Sequence, residues 1–222
     1  MRSRCTTGTQ TADATPRATV DHFVIATRDL DQTVDDLHEV LGTRPVEGGA
    51  HIGRGTRNYL VGLGDTCYLE VIAVDEAQPE PDQPRLFGLD KAFGPSRLVT
   101  WAVTADDFEA ARTRADAAGA PLGEVGELRR AAAGGEVRVR LTERPDVLED
   151  GVVPFLVDWG TTDHPAPNLP RVDLVGLRLS HPQPARIRRL LVALGVRPAL
   201  VWGVTPALEV VVQGTHGLVA LR

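Results

Sequence analysis

A chain of 222 residues with 42% hydrophobic content is long enough for one large domain or two small ones. Its formal net charge of −6, with no basic tract, leaves a nucleic-acid partner without an electrostatic footprint. The most apolar window, LLVALGVRPALVWGVTPALEVVV, is interrupted by Arg197, Pro198, Pro206 and Glu209, which excludes a membrane-spanning helix.

The first residues, 1–17, are polar and lack an apolar h-region, so they are expected to form a disordered lead-in rather than a secretory signal. Cys5 falls in that tail, and Cys67 stands in phase with apolar Leu69 and Val71. Neither a disulfide framework nor a cysteine zinc site is expected, and a cytoplasmic location fits.

In chain order, the strand DHFVIAT leads to a helix whose capping box is Asp29 and Gln32. Leu30, Val34, Leu37 and Leu41 make its apolar stripe, and Gly42 ends it. Three strands follow: VEGGAHIG, TRNYLVGL and CYLEVIAVD. The strand LVTWAVT leads to a second helix, with Asp106 and Glu109 at its cap and Phe108, Ala111, Ala115 and Ala118 on one stripe, ending at Gly119. GEVGELRRA, EVRVRLTE and VVPFLVDWG come next, the first two joined by a turn at Ala133-Gly134-Gly135. DLVGLRLS leads to a third helix, with Pro182 in its first turn and Ile187, Leu190, Leu191 and Leu194 facing the core, ending at Gly195. ALVWGV, ALEVVVQ and GLVALR close the chain. The element order βαβββ thus occurs three times, and a unit with a helix on one sheet face must pair to cover the other.

The linkers DEAQPEPDQPR and TTDHPAPNLPR are Pro-rich and read as extended connections. HIGRGTRN is not a phosphate loop, because no strand-to-helix transition follows it; Gly53 and Gly55 form a bend instead.

Paired βαβββ modules around a cup resemble the vicinal oxygen chelate superfamily, and the local sequence resembles its glyoxalase-like domain branch. The resembling stretches are DHFVIATRDLDQTVDDLHEVLGTRP, HIGRGTRNYLVGLGDTCYLEVIA, PRLFGLD and VVPFLVDWG with DHP. The implied fold is α+β, with three βαβββ modules of which two pair into the cup. The expected division is 18–166 as the glyoxalase-like domain, with modules 18–76 and 95–160, and 167–222 as a third module.

The resemblance also implies a divalent metal in the cup, with His22 and Glu70 at the matching ligand positions. Strand alternation agrees: His22, Val24 and Ala26 share one face, as do Tyr68, Glu70 and Ile72, while Leu69, Val71 and Ala73 pack under the helix. Glu70 is therefore expected in a wet cup, where it needs no partner. In the second module Val99 stands in the position of His22, with Trp101 two residues on, so the ligand set is incomplete.

His51, Thr56 and Asn58 are candidates to hydrogen-bond a ligand at the rim. Arg138 and Asp158 are candidate polar contacts, and Trp101 and Trp159 a candidate apolar wall. The partner is then a small oxygen-rich or acyl molecule, and a homodimer is compatible with this reading. Two functions stay open: metal-assisted isomerase, lyase or dioxygenase chemistry with Glu70 as the catalytic group, and a metal-free protein that binds or sequesters a small molecule.

Overall fold

The computed structural model describes residues 17–91, 96–132 and 135–222. The expected lead-in, with Cys5, lies outside the described residues except for Arg17, as do Ala133 and Gly134 of the expected turn.

The first unit comprises β1 (Ala18–Ala26), α1 (Leu30–Leu41), β2 (Val46–His51), β3 (Thr56–Gly62) and β4 (Tyr68–Val74). The second comprises β5 (Arg97–Ala105), α2 (Phe108–Ala118), β6 (Glu124–Ala132), β7 (Gly135–Glu143) and β8 (Phe155–Asp158). The third comprises β9 (Leu174–His181), α3 (Pro184–Ala193), β10 (Ala199–Trp202), β11 (Ala207–Gly214) and β12 (Gly217–Leu221).

Local chemistry sets the helix ends. The Asp29 carboxylate accepts from the Gln32 amide at 3.0 Å, and Gly42, left-handed at φ 72°, donates to the His38 carbonyl at 2.9 Å. The α2 cap is Asp107 rather than Asp106: its extended backbone aims the carboxylate at the Ala110 amide, 2.9 Å away. On α2, Phe108, Ala111 and Ala115 are buried, but Ala118 is exposed in the last turn and Ala120 is buried beyond it. In α3 the first-turn proline is Pro184, and Pro182 precedes the Gln183 cap.

β1 to β8 close a barrel in the order β1-β4-β3-β2-β6-β7-β8-β5. Within each half the first and last strands are parallel neighbours, β1 with β4 and β5 with β8. The halves join by antiparallel pairing of β1 with β5 and by a short seam where His51 pairs with Arg130. Gly49 makes that seam possible, since at φ 124° a Cβ would strike the Ala131 carbonyl.

Outward residues of both halves, including Phe23, Leu69, Val71, Trp101 and Val103, pack under α1 and α2 in one apolar core. Side chains of this size each contribute roughly 1.5–3 kcal/mol on burial. The third unit repeats the element order but not the strand order. Its sheet runs β10-β9-β11-β12, with β9 inside it, parallel to β10 and antiparallel to β11. It packs on the outside of the barrel, where Leu190, Leu191, Leu194 and Val210 join the same core. No described helix is long and apolar enough to cross a membrane.

Candidate active site

Inside the barrel is a cavity of about 270 Å³. Its two walls differ in chemistry. His22, His51, Thr56, Asn58, Tyr68 and Glu70 reach it from the first half. Leu128, Val137, Val139, Leu141, Phe155 and Val157 reach it from the second, together with Arg130 and Trp159.

The alternation of β4 places Glu70 inward while Leu69 and Val71 face α1. Glu70 is buried nonetheless, at 6% exposure, and it has partners. Its Oε1 accepts from Asn58 Nδ2 at 2.6 Å and lies 3.7 Å from His51 Nε2; its Oε2 lies 3.8 Å from His22 Nε2. The expectation of a solvated carboxylate without partners is thus corrected. Neighbouring strands enclose it: the carboxylate is held by the Asn58 amide and flanked by the His22 and His51 imidazoles.

His51 and Asn58 form a fixed chain. Burial pushes the His51 imidazole down to about 4, so it is neutral near pH 7. An Asn58 Nδ2 hydrogen points at His51 Nε2 from 3.1 Å, which leaves the ring proton on Nδ1 to donate to Thr56 Oγ1 at 2.8 Å.

His22 is oriented from behind by a residue the sequence reading passed over. A β-bulge skips Asp21 in the β1–β5 ladder, between the pairs Val20↔Val103 and His22↔Ala102. Asp21 Oδ1 accepts from His22 Nδ1 at 2.6 Å, and its Oδ2 accepts from Thr104 Oγ1 at 2.7 Å and Trp159 Nε1 at 2.9 Å. His164 Nε2 approaches Oδ2 at 3.4 Å without hydrogen-bond alignment. Burial opposes the charge on Asp21, but His164, His22 and Thr104 outweigh it and hold the carboxyl well below the usual range. An ionised Asp21 keeps a proton on His22 Nδ1, so the atom His22 turns to the cup is Nε2. The His22 ring stacks on Tyr68 with centroids 4.6 Å apart. Burial, then Asp21 and Glu70, raise the Tyr68 phenol, which stays protonated.

Three expected contacts lie elsewhere. Trp101 is fully buried on the core side, its Nε1 donating to the Val152 carbonyl at 3.1 Å. The cause is a second bulge. Val24 pairs with Thr100 and Ile25 with Leu98, so Val99 is skipped and the alternation reverses before Trp101. Arg138 and Asp158 are on the outer face, where Arg138 pairs with Glu136 at 2.7 Å and Asp158 with Arg140 at 3.4 Å. Their neighbours Val137, Val139 and Val157 take the inward positions.

A strap over residues 81–87 completes the lining of the cavity. Arg85 ties it down, donating to the Gly55 carbonyl at 3.0 Å, to Asp90 at 2.6 Å and to Glu80 at 2.7 Å. Phe87, at φ 62°, lays its ring 5.3 Å from that of Phe155. The strap was expected only as an extended linker and a resembling stretch, not at the cavity, and Arg130 was not singled out at all. In GELRRA the signal for Arg130 is its phase with Leu128, opposite to Arg129.

The residues present do not fit the implied metal. His22 Nε2 and the Glu70 carboxylate face the cup, but His51 Nε2 is taken by the Asn58 amide. The second half offers hydrocarbon and the cation of Arg130. Among the described residues no group of three or more His, Cys, Asp or Glu is arranged to hold a metal ion.

The chain is similar to several known structures. A hypothetical protein from Staphylococcus aureus superposes with a TM-score of 0.60 at 14% identity, over 85% of this chain and 88% of that one. Methylmalonyl-CoA epimerase from Mycobacterium tuberculosis gives 0.39 at 20% identity, over 62% and 84% of the two chains. A mutant of 4-hydroxymandelate synthase from Streptomyces coelicolor gives 0.45 at 15% identity, over 93% and 62%. No curated protein is a significant match to the sequence. Residues 20–195 match the family model described as a glyoxalase-like domain, and the chain belongs to that family.

Proposed function

We propose that the cup binds a small oxygen-bearing acyl compound and that Glu70 moves a proton on it, as in an isomerase or lyase. The observation that carries this reading is the setting of Glu70. It is a buried carboxylate on a cavity wall, with an imidazole nitrogen 3.7–3.8 Å from each oxygen and, among the described residues, no arginine or lysine in ion-pair contact with it. A base in such a place is shielded from water and beside a proton acceptor.

The residues divide the work as follows. Glu70 takes the proton from a carbon next to the carbonyl. Asn58, donating to Oε1, fixes the carboxylate so that Oε2 is the reactive oxygen. His22 Nε2 faces that oxygen, with its ring held by Asp21, and passes the proton on or returns it to the substrate. The strap keeps solvent from the anion that forms.

The test is solvent-deuterium incorporation, followed by NMR, into a set of small acyl compounds with a C–H next to the carbonyl. Incorporation is expected with the native protein and absent with Glu70→Gln. A native protein that binds these compounds yet exchanges no proton defeats the catalytic reading. It favours instead a metal-free binding or sequestering protein, which the hydrocarbon wall of the second half also suits. The cytoplasmic expectation belongs to the same proposal.

A further inference from the structure

The cup contains three arginines, and two of them are neutralised. Arg54 pairs with Glu143, and Arg85 with Glu80 and Asp90. Arg130 is different. It is 8% exposed and lines the cavity, and among the described residues its guanidinium makes no hydrogen bond and no ion pair.

A buried guanidinium without a counter-charge is costly, and proteins seldom keep one unless something supplies the missing anion. Here the fold makes room for it. Arg130 Nη1 and Asn58 Oδ1 both crowd the space above Gly48, where any Cβ would collide with them. Glu70 is on the opposite side of Asn58 and is held by the amide rather than by Arg130.

We propose that Arg130 receives the carboxylate of a small monoanionic acid whose tail rests on Val137, Val139, Phe155 and Val157. This rests on the reading of the cup as a ligand site and adds the class of ligand. A planar guanidinium with free N–H groups matches a carboxylate in two-point contact. A second anionic group is disfavoured, because Glu70 and Asp82 share the lining. The tail must be compact: at about 270 Å³ the cavity is smaller than the roughly 300–1,000 Å³ of drug-sized pockets. With the carboxylate on Arg130, the tail runs along the hydrocarbon wall, and the carbons next to the carboxylate come beside Glu70.

Calorimetric titration with 3-phenylpropanoate and with its neutral amide tests this. The native protein should bind the acid at least tenfold more tightly than the amide. Arg130→Gln should weaken the acid roughly ten- to a hundred-fold and leave the amide unchanged, as loss of a charge-assisted hydrogen bond does. Arg130→Lys, which keeps the charge, should recover part of the difference. Glu70→Gln should keep or improve acid binding, so a protein that prefers the acid but exchanges no proton sustains this inference while the proposed catalysis fails. Equal binding of acid and amide by the native protein, or binding of neither, overturns it without recourse to any variant.

Discussion

Phe23 on β1 and Trp101 on β5 stack at 6.5 Å across the outside of the barrel, each beneath its own helix. The cavity linings of the same two halves differ in balance. The first half presents His22, His51, Asn58 and Glu70 to the cavity, and the second presents Val137, Val139, Phe155 and Val157. The difference teaches where the constraint lies. Outward positions must fill a close-packed core shared with the helices and with the third unit, so both halves solve the same packing problem in the same way. Inward positions border a cavity and are free to diverge, which lets one half become polar and reactive and the other mostly hydrocarbon around a single cation, Arg130.

The largest effect expected from breaking this contrast is at Val71. Val71→Asp puts an unpaired charge in the core beneath α1 and should cost several kcal/mol, enough to abolish the cooperative transition in a thermal melt.

The next concerns His51 and is read as pH dependence. Its folded value of about 4 lies below the ordinary 6.5, so as pH falls the unfolded chain takes up the proton first. Stability from the neutral imidazole is complete above about 6.5 and is lost as pH falls toward 4, by about 3 kcal/mol. Urea unfolding at pH 7.5 and 4.5 should show this loss, and His51→Gln should flatten it. An unchanged slope in that variant would move the titration to another group.

Glu70→Gln, one residue before Val71, should change stability by less than about 1 kcal/mol, since a glutamine oxygen can still accept from Asn58. If it unfolds the protein while Val71→Asp is tolerated, the two faces of β4 have been exchanged.

The smallest effect is at Arg138, an exposed residue in a surface ion pair. Arg138→Ala should shift stability by no more than about 0.5 kcal/mol and leave ligand titrations unchanged.

These contrasts also mark what could be read from the sequence. The helix-ending glycines, the strands and the phases of β1 and β4 were legible, because each is a local pattern: an apolar stripe, a left-handed end, an alternation of two. His22 and Glu70, which the family resemblance singled out and alternation placed on one face, line the cavity, as do His51, Thr56, Asn58 and Trp159. The misplacement of Trp101 has a non-local cause, since the bulge at Val99 exists only in the ladder with β1. Arg138 and Asp158 were misread for a similar reason. On a strand, alternation separates two faces but does not say which one closes the barrel.

By itself, then, the sequence determined the order of elements and which residues share a face, because helix caps and strand periodicity act within a few residues of one another. Tertiary structure alone decided the rest. It set Asp21 behind His22 through a bulge, and it brought Arg130 beside Asn58 by joining β2 to β6 over Gly48 and Gly49. It also placed the third unit outside the barrel by giving its sheet a different strand order. Each of these depends on pairing between segments far apart in the chain, and the energy of that pairing resides in contacts that no local window contains.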